Sequence, residues 1–238
     1  MSSKVSNFFR WSKNILTYNG WGILCWRILQ RSLKAIGRLE VVTFFERDLT
    51  QPLNDLIFRE KVNFSITALS DVPTLVRLMN ERQKIRLDDT KIEFNKLVLS
   101  RFERGSLCFS GKINSEIIHY NWVSFNSEES LGGRFVHLNP DEAFCLDAFT
   151  VREWRGKGVY PAAQAWMLRT LQEKGIGKAY TLIDADNSSS RKPHTRQGWK
   201  PIGTVLCFTP TGASRGFIWR LKGNLSRFLE KRNPAAGE

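Results

Sequence analysis

The segment of this sequence that is best suited to bind an anion is a glycine-rich basic turn, Trp154-Arg155-Gly156-Lys157-Gly158. An apolar, strand-like segment precedes the turn and a helix-like segment follows it. The glycines permit backbone conformations that aim successive N–H groups inward, and the following helix adds the positive end of its dipole. The turn predicts an anion cradle, although a plain tight turn has the same local sequence. Its spacing matches neither the P-loop nor the dinucleotide-binding motif.

Further along the chain, a strand-like segment runs into a polar helix start at Asn187-Ser188-Ser189-Ser190, and His194 then precedes a Gly198-Trp199 step. Together with the basic turn, these residues resemble the GNAT superfamily of acyl-coenzyme A transferases. The signature of that superfamily pairs an arginine–glycine turn with a later Asn-x-x-Ser helix that a Gly-aromatic step closes. The resemblance covers residues 62–221, and its specific part is 147–203.

The resemblance implies acetyl-coenzyme A (acetyl-CoA) as the co-substrate, without a metal. The backbone from Arg155 to Tyr160 would hold the pyrophosphate, a strand segment ending at Val151 would pair with the pantetheine arm, and Asn187 would hydrogen-bond that arm. The cofactor-binding residues implied in this way are Phe149, Thr150, Val151, Arg155, Gly156, Lys157, Gly158, Val159, Tyr160 and Asn187.

One residue of the turn departs from the family pattern. The six-residue turn usually opens with Gln or Arg, and here that place holds Glu153. Because a carboxylate beside a pyrophosphate is unfavourable, we predict that Glu153 faces solvent while Arg152 or Arg155 neutralises the phosphates.

Acyl transfer to an amine is helped by a base for the ammonium proton and by an acid for the leaving thiolate. In the family the acid is often a tyrosine four residues before the glycine of the Gly-aromatic step, and His194 holds that position here. The resemblance therefore implies a catalytic role for His194. The basic residues around it would lower its pKa, and packing on the helix without chemistry is the alternative.

Asp147 is the candidate for the base because it is the only carboxylate in the strand-like segment 144–151. A carboxylate among apolar residues is costly unless it faces a cleft or has a partner. Asp147 is thus predicted to act as a base or to anchor the acceptor amine, with a structural hydrogen bond as the alternative. His119, Tyr120 and Trp122 on an adjoining strand are candidates to line the acceptor pocket, or to pack in the core.

The pattern of elements predicts an α/β (α+β) fold with a GNAT-like mixed, mostly antiparallel central sheet flanked by helices. Helices are predicted from about Ser70, at 91–102, at 159–174 and at 188–196, and strands at 63–69, 107–110, 117–125, 144–151, 179–183, 199–208 and 216–219. Residues 1–60 are predicted to be a basic amphipathic helical extension and connector, 61–222 the acyltransferase domain, and 223–238 a frayed basic tail.

The positive charge is concentrated at the two ends of the chain. The sequence holds 36 Lys and Arg against 23 Asp and Glu, a net charge of +13, and residues 1–39 contain no acid. Their apolar positions, among them Trp21, Leu24 and Ile28, fall on one side of a predicted helix. Such a helix can dock on the main domain, lie on an anionic membrane or bind a partner protein. No segment has the length and apolarity of a membrane span, and no cleaved leader is predicted.

These observations together predict an acetyl-CoA-dependent N-acetyltransferase that acts on a small-molecule amine, such as an amino sugar or a lipid-linked precursor, by direct attack in a ternary complex. The rival hypothesis is a non-catalytic module for anionic lipid or nucleic acid on a degenerate acyltransferase fold. No RNA-binding signature or DNA-reading helix is recognisable, so nucleic acid is not the expected partner. Four widely spaced cysteines predict reduced thiols in a cytoplasmic protein, peripheral at the inner membrane face if the basic segment binds lipid.

Overall fold

The computed structural model describes residues 21–33, 35–53, 62–86, 92–126, 128–213 and 215–231. In these residues the α-helices are α1 (Trp21–Leu33), α2 (Val72–Arg86), α3 (Phe94–Glu103), α4 (Val159–Glu173) and α5 (Ser188–Arg196). The strands are β1 (Gly37–Asp48), β2 (Asn63–Ile66), β3 (Leu107–Ile113), β4 (Glu116–Ser124), β5 (Glu128–Leu131), β6 (Arg134–Val136), β7 (Glu142–Thr150), β8 (Lys178–Asp184), β9 (Lys200–Pro210), β10 (Phe217–Lys222) and β11 (Glu230–Lys231).

Eight of these strands form the central sheet, in the order β10-β9-β1-β8-β7-β4-β3-β2. Every neighbouring pair is antiparallel except β7 and β8, which run parallel. Apolar side chains are buried on both faces of the sheet, against α4 on one face and against α2 and α3 on the other. The mixed, mostly antiparallel sheet flanked by helices that the sequence predicted is confirmed.

The parallel pair separates part-way along its length. Pairing between β7 and β8 extends only from Glu142 opposite Lys178 to Cys145 opposite Thr181. On the other side of β7, the register against β4 shifts where Tyr120 pairs with Phe149 and Trp122 pairs with Leu146. β7 therefore carries one extra residue there, a β-bulge that bends the strand. The bend lies where β7 leaves β8, and it opens the sheet.

Asp147 lies at this bulge with a positive φ of 54°. Aspartate adopts such a left-handed conformation more readily than most side chains. Two helices hold its carboxylate, since Arg82 of α2 hydrogen-bonds Oδ1 and Nη1 of Arg101 in α3 lies 2.7 Å from Oδ2. Burial alone would raise the pKa of Asp147, but the charges and hydrogen bonds of the two arginines lower it to about 2.

β1 corrects the predicted division of the chain. Residues 1–60 were predicted to lie outside the acyltransferase domain, yet β1 is an inner strand that pairs with β9 on one side and with β8 on the other. Its buried residues belong to the main core, with Phe44 and Phe45 nearly inaccessible. β1 carries charged residues at both ends and a mostly apolar stretch from Val41 to Phe45 between them.

The predicted basic tail also packs on the domain over its first part. Leu225 and Phe228 are buried, and Arg227 forms an ion pair with Glu142 of β7. Tyr180 donates a hydrogen bond to the same carboxylate at 3.0 Å. Residues 232–238 of the predicted tail lie outside the described residues.

Helix α1 confirms the later part of the predicted N-terminal helical segment. The helix packs beside β1, and Nε2 of Gln30 donates to the carbonyl of Leu39 at 2.7 Å. The predicted shorter helix near residues 8–15 lies outside the described residues. Among the helices that are described, none combines the length and apolarity needed to cross a membrane.

Replacing Asp147 with asparagine should destabilise the fold strongly, because Arg82 and Arg101 would lose the carboxylate that they share. We expect Asp147→Asn to lower the free energy of unfolding by about 3 kcal/mol. Asp71→Asn is the matched control, since Asp71 pairs with a single lysine and both side chains are 24% exposed. Chemical denaturation at pH 7 measures the loss of unfolding free energy in each variant. Equal losses would contradict the proposal that Arg82 and Arg101 clamp the carboxylate of Asp147.

The pH dependence of stability gives an independent check on Asp147. Its pKa is lowered from 3.8 to about 2 in the folded protein. A lowered carboxyl pKa stabilises the fold above the unfolded value, and the stabilisation is lost as the pH falls through the folded value. The wild-type protein should therefore lose about 2 kcal/mol from this group between about pH 4 and pH 2. The free energy of unfolding of Asp147→Asn should lack this decrease between about pH 4 and pH 2.

Candidate active site

A cleft of about 310 Å³ passes through the sheet where β7 and β8 separate. Successive side chains of a strand point to opposite faces, yet four consecutive residues of β8, from Thr181 to Asp184, line this cleft. It therefore opens on both faces of the sheet. One side is lined by Tyr160, Gln164 and His194 of α4 and α5, and the other by Glu40, Val42 and Leu131 of β1 and β5.

The basic turn presents unpaired backbone donors beside this cleft. Within the residues that the structure describes, the N–H groups of residues 156–160 donate no hydrogen bond to the protein. Gly156 and Gly158 have φ values of 76° and 82°, and a Cβ added at Gly156 would meet no atom within 4 Å. Tyr160 lines the cleft from the first turn of α4. The turn thus presents accessible backbone donors at a helix N-terminus, which suits a phosphate group.

The cations of the turn are held in place by local contacts. Nε of Arg155 donates to the carbonyl of Thr150 at 2.9 Å, and Nζ of Lys157 lies 4.4 Å from the centre of the Trp154 ring. Burial and the charge of Arg152 lower the pKa of Arg155. Glu153 is exposed, as are Arg152 and Arg155, so its predicted orientation away from the phosphates stays a prediction. The turn therefore carries positive charge that a bound anion would balance.

Thr150 is the residue of the predicted pantetheine segment whose backbone faces the opening. The N–H of Val151 donates to the carbonyl of Ile118 at 2.9 Å, so it points toward β4. Alternate residues of an antiparallel strand bond to the same neighbour, which places Phe149 on the β4 side as well. Phe149 itself is buried against Tyr120. Thr150 lies between them and directs its backbone groups toward the gap left by β8.

Asn187 caps helix α5 and also borders the cleft. Its Oδ1 accepts hydrogen bonds from the N–H of Ser190 at 3.2 Å and from the hydroxyl of Ser189 at 2.7 Å. In the described residues no hydrogen bond from its Nδ2 occurs. The cap fixes the side chain and leaves the amide N–H groups as donors for a ligand.

His194 lies at the cleft but is buried and fully engaged. Nδ1 lies 2.8 Å from the carbonyl of Ser190, and Nε2 lies 2.8 Å from Nε2 of Gln164. Both contacts are satisfied when Nδ1 carries the proton and Nε2 accepts from the amide. Burial lowers the pKa of His194 to about 4, which favours the neutral ring. The hydroxyl of Tyr160 lies 3.4 Å from both ring nitrogens.

The structure separates the remaining predicted residues into two groups. Asp147 lines the cleft, but its two oxygens are occupied by arginines, and a carboxyl group with a pKa of about 2 is a very weak base. His119, Tyr120 and Trp122 are buried and do not line the cleft, so they have the core position that was the alternative for them. Their predicted place in an acceptor pocket is therefore not supported.

Comparison with known proteins identifies the fold. No protein-family model and no curated relative matches this sequence. Solved structures do match. An acetyltransferase of the GNAT family from Colwellia psychrerythraea aligns with a TM-score of 0.52 at 10% identity, over 75% of this chain and 59% of that one. A GCN5-related N-acetyltransferase from Sphaerobacter thermophilus aligns with a TM-score of 0.52 at 13% identity, over 81% and 57%.

The chain has the GNAT fold. A third structure, assigned to the GNAT family as an acetyltransferase from Novosphingobium aromaticivorans, has a TM-score of 0.51 at 12% identity, over 71% of this chain and 63% of that one. This chain therefore spans less than two thirds of the length of each of these structures. At such identities the likeness is one of fold, and the chemistry must be argued from the residues of this chain.

Several residues at the opening of this GNAT fold were not found from the sequence. Arg82 and Gln164 contact Asp147 and His194 from helices whose facing residues only the tertiary structure defines. Glu40 and Asp184 line the cleft as neighbours across the β1–β8 pairing, in which Asp184 lies opposite Val42. In the described residues there is no group of three or more His, Cys, Asp or Glu side chains that suits a metal ion.

Substitution of Gly156 tests the anion turn. We expect Gly156→Ala to weaken coenzyme A binding by about tenfold or more, because a left-handed alanine is strained by about 1–2 kcal/mol and its methyl group would lie among the proposed phosphate donors. Gly175→Ala is the matched control, since Gly175 has a φ of 80° and equally open space. Both variants should lose similar stability, and titration calorimetry with coenzyme A should separate them. Equal affinities would contradict the site.

Proposed function

We propose that this protein transfers an acetyl group from acetyl-CoA to an amine acceptor by direct attack in a ternary complex. The observation that carries the proposal is the opening between β7 and β8, which has unpaired N–H donors beside one mouth and the carboxylate of Asp184 at the other. A linear co-substrate bound through phosphate at the turn can extend along β7 into this gap. An amine can then approach from the opposite face of the sheet.

The chain offers suitable groups for each part of coenzyme A. The N–H groups of residues 156–160 and the side chains of Arg155 and Lys157 would hold the pyrophosphate. The backbone of Thr150 and the amide of Asn187 would orient the pantetheine arm. When bound, acetyl-CoA supplies the activated acyl group as its thioester.

The cysteine in the cleft supports direct transfer rather than a covalent enzyme intermediate. Cys145 lines the opening, but it is buried, and burial raises its pKa to about 12. A thiolate is the nucleophilic form of cysteine, so Cys145 is a poor nucleophile at neutral pH. The acceptor amine is then the attacking group.

The acidic mouth of the cleft favours an amine acceptor. Glu40 and Asp184 line it on the same face of the sheet. Glu40 forms an ion pair with Arg38 at 2.6 Å, so the charge of Asp184 would attract an alkylammonium group. Asp147 has a structural part in this proposal, because its carboxylate is held by Arg82 and Arg101. Asp184, directly or through a water molecule, would accept the ammonium proton before attack.

Tyr160 is the proton donor that we propose for the leaving sulfur. Its hydroxyl lies among Ser190 Oγ at 3.5 Å and the two ring nitrogens of His194 at 3.4 Å. Burial raises the pKa of Tyr160, so the phenol keeps its proton at neutral pH. His194 is neutral at this pH, and we assign it a positioning role on Tyr160 in place of the acid role that the resemblance implied.

Thermal unfolding with acetyl-CoA, coenzyme A and pyrophosphate tests the proposed function. Ligand at about 100 times its dissociation constant should add roughly 2.7 kcal/mol of stability. An assay for the free thiol of coenzyme A, run with a panel of amines, should then show which amine is acetylated. If no acyl-CoA raises the unfolding temperature, the chain is not an acyltransferase of this kind.

Substitution of Tyr160 separates catalysis from binding. Tyr160→Phe should lower kcat about 10²-fold or more and leave the dissociation constant for acetyl-CoA nearly unchanged, because only the hydroxyl is removed. Tyr180→Phe is the matched control, since that hydroxyl is also buried but bonds to Glu142. His194→Gln should lower kcat less than Tyr160→Phe. A larger loss in His194→Gln would restore His194 as the acid.

A further inference from the structure

Exposed apolar side chains are concentrated in one region of the molecule. Seven of the eleven large hydrophobic side chains that are exposed in the described residues lie in α1, in the turn after α1 and in β10. Three of them, Phe217, Trp219 and Leu221, alternate along β10, and the other four lie between Trp21 and Ile36. Trp21 is 72% exposed and Phe217 is 60% exposed. Isolated exposed apolar residues are ordinary, whereas a cluster of this size calls for a partner.

These two segments are neighbours in the fold. The N–H of Thr211 donates to the carbonyl of Ile36 at 3.0 Å, and its hydroxyl lies 3.2 Å from the carbonyl of Ala35. The turn between β9 and β10 is therefore bonded to the end of α1. β10 is the last strand of the described sheet on this side. We call the region formed by α1, residues 35–36 and β10 the α1–β10 surface.

Positive charge accompanies the apolar side chains of the α1–β10 surface. Arg215, Arg220 and Lys222 are exposed in β10 and just before it, and Arg220, which alternates with Trp219, lies on the opposite face of this edge strand. Neither residues 1–39 nor residues 187–229 contain an acid. These two segments therefore supply no carboxylate that could neutralise the three cations.

We propose that the α1–β10 surface binds the headgroup region of an anionic lipid bilayer. Tryptophan and phenylalanine favour the interface between water and acyl chains, and each nearby Lys or Arg adds attraction to anionic lipid. The aliphatic members, such as Leu221 and Ile36, gain from contact with acyl chains but gain nothing from stacking on nucleic-acid bases. Pairing of β10 with a second copy would bring Arg220 and Lys222 of both copies together, which like-charge repulsion opposes.

Vesicle flotation of the full-length protein tests the apolar part of the α1–β10 surface. The protein should bind vesicles of phosphatidylcholine mixed with phosphatidylglycerol, and Phe217→Ser with Trp219→Ser should lower the partition coefficient about tenfold or more. The matched control is Leu69→Ser with Leu99→Ser, two exposed leucines elsewhere on the molecule. The unfolding temperature of each double variant shows whether that variant folds. If the β10 double variant does not fold, the single variant Trp219→Ser replaces it. Equal partitioning of the β10 and control variants overturns the proposal.

The charge requirement and the other occupants are tested in the same assay. Arg220→Gln with Lys222→Gln should weaken binding about tenfold or more, whereas Lys174→Gln, an exposed lysine on another side, should not. Equal binding to phosphatidylcholine alone overturns the proposal. If vesicle binding is absent, two other results also overturn the proposal. One is a dimer that the β10 substitutions convert to a monomer in sedimentation, and the other is binding of a single-stranded oligonucleotide that the β10 substitutions abolish. Acetyl-CoA binding should be unchanged in every β10 variant.

Discussion

The separation of β7 from β8 is the feature on which the candidate site depends. Two parallel strands would pair along their full length unless something bent one of them away. Here the bend is a single-residue bulge at Asp147, and Arg82 and Arg101 hold its carboxylate from two helices. The ion pairs cost desolvation, and their value lies in fixing the direction of the bend. Without the opening, the sheet would have continuous faces and no path between them.

The opening joins two environments that suit different parts of an acyl transfer. The side at α4 offers backbone N–H groups, Arg155 and Lys157, all of which favour phosphate. The other side offers Asp184, which favours a cation, beside a Glu40 carboxylate that Arg38 already pairs. This polarity sets a direction in the proposed function, because the co-substrate and the amine are attracted to opposite mouths. Neutral buried groups, including His194 and Cys145, lie between them.

The N-terminal part of the chain connects the cleft with the α1–β10 surface. β1 contributes Glu40 and Val42 to the cleft, and α1 directly precedes it. If that surface lies on a bilayer, β1 links the membrane-bound helix directly to the cleft. A lipid-linked amine is then a suitable acceptor, whereas a freely diffusing amine would need no such placement.

The sequence by itself did not reveal the short strands β5, β6 and β11. It determined the helices and the central-sheet strands from residue 63 onward, the glycine-rich basic turn and the polar start of helix α5. Each of these depends on local backbone preference, which glycine, apolar alternation and a short polar side chain encode within a few residues. Tertiary structure alone decided the place of β1, the clamp on Asp147 and the state of His194. A strand between β8 and β9, or the pKa of a buried group, depends on partners distant in the sequence, such as Arg82 and Gln164. Local patterns carry no information about which of those partners the fold brings together.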